Sequence, residues 1–115
     1  MDKQKFIDKI SHDYQKTNED KMILDALELF KSFVSSLQSL ANDKFDPENV
    51  QFSSMFKEIK VGNTILKPKR KNETVEMLLN NSVIDKWYVQ NQQVMSEKFN
   101  EIVSDNLFEK YLDLF

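Results

Sequence analysis

Few side chains in this sequence have the type and spacing that chemistry requires. His12 is the only histidine, and there is no cysteine. A metal site or a nucleophile–base pair needs partners that one imidazole cannot supply alone. His12 falls off the apolar stripe of its segment, so a solvated surface position is expected. Glu97, Glu101, Asp105, Glu109 and Asp113 recur every four residues. On one continuous helix they would share a face and present oxygen ligands to a hard divalent cation. Like charges at that spacing, however, destabilise a helix by about 0.2–0.5 kcal/mol per pair, and a break expected near 104–106 separates the series. We read them as a solvated acidic face. The single glycine supplies no phosphate-cradling loop, and no serine has a base to pair with. No catalytic, cofactor-binding or metal residue is assigned, and no enzymatic activity is expected.

The one local charge feature is the run Lys67-Pro68-Lys69-Arg70-Lys71. Residues 59–72 hold five basic residues and no acidic one, in a chain whose formal net charge is −3. Three readings apply. Lysines and a proline protect an exposed edge strand from pairing with another chain, and this reading ranks first. The run also suits an acidic protein surface. Nucleic-acid phosphates come third, because aromatic residues for base stacking are missing from the run.

The run lies in a stretch, 56–96, that reads as sheet. Turn signals at Gly62-Asn63, Lys71-Asn72 and Asn80-Asn81 separate strand-like segments 56–61, 64–70, 73–79 and 83–90. A further turn at Asn91-Gln92 leads to a short strand at 93–96. An antiparallel meander follows. A three-residue turn over 80–82 sets Val75 opposite Trp87, Glu76 opposite Lys86 and Leu79 opposite Val83. It avoids the like-charge pair Glu76–Asp85 that a two-residue turn would create. Its defect is that Met77 then faces Asp85. Trp87 is expected to be buried with Val75, Leu79 and Val83.

Residues 2–41 read as helix. Phe6, Ile7, Ile10 and Tyr14 form one stripe; Ile23, Leu27, Phe30, Val34 and Leu37 form a second, centred on the opposite side. Either the chain bends within 15–21, where Thr17, Asn18 and Asp20 can cap a new start, or the helix is straight. A bend lets both stripes fold onto one core. A straight helix leaves the first stripe for a partner, in the simplest case a second copy of the chain. Residues 42–54 read as a connector, with a short helix opening at Asp46-Pro47. Residues 105–115 read as a final helix, with Asn106 and Glu109 placed as in a capping box. Residues 94, 95, 99, 102 and 103 also fit a helical spacing.

With 115 residues the chain suits a single α+β domain spanning 1–115: an N-terminal helix or helix pair on an antiparallel meander, then a short C-terminal helix. No apolar run is long enough to cross a membrane, and without cysteine or an apolar leader a cytoplasmic location is expected. Aromatic residues make up 11% of the chain, more than so small a core buries completely, which points to an interface. The expected function is a non-catalytic protein-interaction module of the inhibitor, immunity or antitoxin type, without cofactor. Its candidate contacts are Lys67, Lys69, Arg70 and Lys71, and the stripe Phe6, Ile10 and Tyr14. The alternative is a nucleic-acid-associated protein acting through 67–71.

Overall fold

The computed structural model describes residues 1–115. Helix α1 (Lys3–Tyr14) and helix α2 (Asn18–Ala41) precede a run of strands β1 (Val50–Ser53), β2 (Glu58–Val61), β3 (Thr64–Lys71), β4 (Thr74–Leu79), β5 (Ser82–Gln90), β6 (Gln93–Ser96) and β7 (Glu101–Ile102). Helix α3 (Asp105–Leu112) closes the fold. The seven strands form one antiparallel sheet in strict chain order. The α+β meander expected from the sequence is thus the observed architecture, but it is longer at both ends than 56–96.

The extra strands replace two expected features. After Asp46, the backbone N–H groups of Asn49 and Val50 both bond to the Asp46 carbonyl. This makes a single turn rather than a helix, and the chain enters β1. Residues 94–103 are not helical: β6 and β7 form a hairpin in which Met95 pairs with Ile102, and Asn100 turns it at φ 51°. The last helix begins at Asp105 with Ser104 as N-cap and no side-chain cap bond, so the capping box at Asn106 does not form.

The β4–β5 hairpin combines both turns weighed for it. Asn80 and Asn81 each have positive φ, 50° and 67°, the two-residue geometry that matches strand twist. Leu79 therefore pairs with Ser82 and Leu78 with Val83. A bulge at Ile84 then shifts the register, and Met77–Asp85, Glu76–Lys86 and Val75–Trp87 pair beyond it. Val83 consequently lies on the face opposite Trp87, not beside it, and is 48% exposed.

Alternation along the strands sorts the sheet into two faces. Ile59, Leu66, Val75, Met77, Trp87 and Val94 point to one side and are buried there with Ile23, Phe30 and Val34 of α2 and Leu107, Phe108 and Tyr111 of α3. Phe108 is the meeting point of this core: its ring centroid lies 5.0 Å from that of Phe30, 5.4 Å from Phe33 and 5.8 Å from Trp87. The other face contributes nothing to this core, although Leu78 on it is also buried.

The chain does bend between the two helical stripes. Thr17 is the N-cap of α2, and a reciprocal capping box joins it to Asp20. The bend does not bring the first stripe to the core. No residue of α1 is buried.

Candidate interaction surfaces

The first surface is α1. Asp2 caps it, accepting from the Lys5 backbone N–H at 2.8 Å. Its apolar residues recur at helical spacing, so Phe6, Ile7, Ile10 and Tyr14 share one side. They are 52, 49, 37 and 80% exposed, values that in a packed amphipathic helix would be near zero. His12 is also exposed and pairs only with Asp13, at 3.0 Å. The expectation that a bent chain folds both stripes onto one core is corrected. The extended residues at 15–17 aim α1 away from the sheet, and only its last turn lines a groove, where Asp13 and Tyr14 face Asp20 and Arg70.

The second surface is the open face of the sheet. Pairing across the strands lays out three rows: Lys67, Leu78 and Val83; Lys69, Glu76 and Lys86; and Lys71, Thr74, Tyr88, Met95 and Ile102. Lys60 and Ile65 pair beside them. The Lys71 ammonium binds the Glu76 carboxylate at 2.9 Å. That hydrogen bond, aided by the charges of Lys86 and Lys69, holds the Glu76 carboxyl below its ordinary range.

The run 67–71 is therefore not a single patch. Lys67, Lys69 and Lys71 point to the open face, whereas Arg70 belongs to the helix side. Its Nη2 donates to Asp20 Oδ1 at 2.8 Å and its Nε to the Asn72 carbonyl at 2.9 Å. Asp20 is held below the ordinary carboxylate range chiefly by the Thr17 backbone N–H, with Arg70 contributing.

The expectation of an edge strand is half corrected. β3 is third of seven strands, yet β2 pairs only with Thr64, Ile65 and Leu66. Beyond Leu66 the strand has a partner on the β4 side alone. Lys71 and Thr74 flank a two-residue turn and so form a hydrogen-bonded pair, and alternation makes Pro68–Met77 a non-bonded one. The nitrogen of Pro68 thus faces the vacant side, where a missing donor costs the ladder nothing.

A buried polar set went unread in the sequence. Asp85 is only 4% exposed. Its Oδ1 accepts from the backbone N–H groups of Lys86 and Lys98 at 2.7 and 2.9 Å, and its Oδ2 from Ser96 Oγ at 2.6 Å. The Tyr111 hydroxyl also donates to Oδ2. Burial, with Asp85 next, pushes the Tyr111 hydroxyl well above its ordinary range. The alternation of β5 was the available signal, since it already aimed Asp85 inward opposite Met77. Every acceptor is satisfied and Ser96 is wholly enclosed, so the set ties β5, β6 and α3 together.

The carboxylate series is split as expected, but by more than a helix break. Glu97 follows β6, Glu101 lies in β7 and bonds to the Lys110 ammonium, and only the last three residues of the series belong to the segment around α3. Comparison with protein-family models, with curated proteins and with solved structures returns no match.

Proposed function

We propose that this chain is a protein-interaction module that acts by binding rather than catalysis, of the inhibitor, immunity or antitoxin kind, and that α1 is its docking element. The observation that carries this reading is the uncovered stripe of Phe6, Ile7, Ile10 and Tyr14 on a helix with no buried residue. Such a stripe makes a patch of a few hundred Å2, the scale at which exposed apolar surface marks interaction sites. Length adds a second reason. At 12 residues, α1 is at the margin of what holds as an isolated helix in water, and most helical stability comes from packing an apolar face. A groove with an apolar floor on a partner protein supplies that packing, in the helix-in-groove mode read by anchors at i, i+3, i+4 and i+7. Ile7, Ile10 and Tyr14 have the i, i+3, i+7 spacing, and Phe6 stands four residues before Ile10.

The test compares native-lysate capture by the wild-type chain with capture by Phe6→Glu/Ile10→Glu, followed by titration of any captured protein. Loss of a specific partner in the variant supports the reading. Capture of the same proteins by both chains defeats it. Light scattering distinguishes a second copy of the chain as the occupant, because the mass would then fall from two chains to one in the variant.

A further inference from the structure

The exposed stripe of α1 has a complementary surface on the chain itself. We propose that α1 docks in the apolar groove between α2 and the β6–β7 edge of a second copy, in a two-fold exchange that sets each α1 in the other chain's groove. The proposal rests on the docking role of α1 and names its partner.

Met22, Ala26 and Leu29 of α2 line the groove on one side, and Val94, Ile102 and Val103 on the other. Ala26, Val94 and Val103 are buried and form its floor, whereas Leu29 and Ile102 are 47 and 49% exposed and form its rims. Met22, Ala26 and Leu29 follow one another at helical spacing, so they make a ridge against which a second helix packs. Asp25 is the one charged residue of the lining. Lys3, of opposite sign, continues the α1 stripe one turn before Ile7.

Within one chain the stripe and the groove do not meet. The last turn of α1 lies beside Asp20 and Arg70, on the flank of α2 that the Arg70–Asp20 bond ties to β3. Leu29 comes nine residues after Asp20, about two and a half turns, and so marks the opposite flank. A second copy supplies a groove for the stripe and a stripe for the groove at once.

Area selects the two-fold exchange over a single contact. One helix in one groove removes a few hundred Å2 from each side, short of the roughly 1,200 Å2 that stable interfaces bury. A closed two-fold makes the same contact twice and reaches that scale. The exchange adds to stability only by mass action, so unfolding measured below the dissociation constant of the dimer reports the single chain.

The experiment measures the mass of the full chain by light scattering over a concentration series. The wild type is expected to approach twice the chain mass. Phe6→Glu/Ile10→Glu spoils the stripe and Leu29→Glu/Ile102→Glu spoils the groove, and each variant is expected to stay at one chain mass. Mixing the two variants should raise the mass above that of either alone, because the intact stripe of one fits the intact groove of the other. Leu29→Glu by itself, at a half-exposed position, should weaken the dimer about tenfold or more, as loss of a contact central to an interface does. This single change keeps the test sound if the double variant folds poorly. A single-chain mass for the wild type at every concentration overturns the proposal. If the stripe variant then still loses a partner captured from lysate, the docking role of α1 stands and only its assignment to a second copy falls. A dimer that survives Leu29→Glu and Leu29→Glu/Ile102→Glu, or variants that do not associate when mixed, overturns the exchange.

Discussion

The indole Nε1–H of Trp87 donates to the Tyr111 hydroxyl oxygen at 2.8 Å, and both side chains are fully buried. Tyr111 in turn gives its own proton to Asp85. One hydroxyl thus joins the centre of the sheet, the helix that closes the fold and a buried carboxylate. Replacing it by hydrogen in Tyr111→Phe keeps the ring packing but leaves the indole donor unpaired and removes one acceptor bond from Asp85. Leaving a buried polar group unsatisfied costs about 1–3 kcal/mol. Urea unfolding of the variant should show that loss with an unchanged slope, and a wild-type midpoint would mean that the relay contributes nothing.

Tyr111 also sets an alkaline limit. Burial and the bond to Asp85 favour its neutral form, so its pKa in the folded chain lies above its unfolded value. A group raised in this way contributes stability that is present below the unfolded pKa and is lost as pH rises toward the folded one. The loss begins near pH 10, about the ordinary tyrosine value. Unfolding midpoints measured from pH 8 to 11 should fall more steeply for the wild type than for Tyr111→Phe. Parallel slopes in the two proteins would contradict this assignment.

The β5–β6 turn offers a gain. Asn91 and Gln92 both adopt positive φ, 51° and 60°. Asparagine tolerates that region and glutamine does so poorly. Glycine removes the steric cost, of about 1–2 kcal/mol, while adding about 0.5–1 kcal/mol of chain entropy to the unfolded state. Gln92→Gly should therefore stabilise the protein by about 0.5–1 kcal/mol, read as a higher thermal midpoint. Gly62, already at φ 60° in open space, serves as the reverse control, and Gly62→Ala should destabilise.

Legibility in the sequence followed the range of the interactions involved. The stripes of α2, the asparagine turns and the pairing of Val75 with Trp87 are local or near-local, and periodicity reveals them. The bulge at Ile84 was not legible, although it explains why a two-residue turn and the favoured pairing coexist. It lets Asp85 stay inward with Met77, and that is tolerable only because Ser96, Lys98 and Tyr111 supply donors from 11 to 26 residues away. Opposite Met77, Asp85 reads as a defect until those donors are in place. β7 holds two residues, too few for an alternation to register. The basic run was legible as charge, but its division between Arg70 on the helix side and three lysines on the open face needed the register of β3.

The opposed phases of the two helical stripes left a bend and a straight helix both open; the chain breaks between Tyr14 and Asn18, and the break leads to the last prediction. Because α1 touches nothing in the core, its apolar residues can contribute little to the stability of the rest. Phe6→Glu/Ile10→Glu should change the unfolding free energy by less than about 0.5 kcal/mol, the scale of surface substitutions. Phe30→Ala in α2, a buried ring contacting Phe108 and Trp87, should by contrast cost about 3–5 kcal/mol. Removal of residues 1–15 should likewise leave a cooperative fold, since the Thr17–Asp20 capping box lies beyond the cut and starts α2 without α1. Helical circular dichroism should fall by about the share of one short helix, while the urea midpoint stays in place. A large loss of stability from either change would show that α1 packs on its own domain in solution. The stripe would then be part of a core, and its role as a docking element would have to be abandoned.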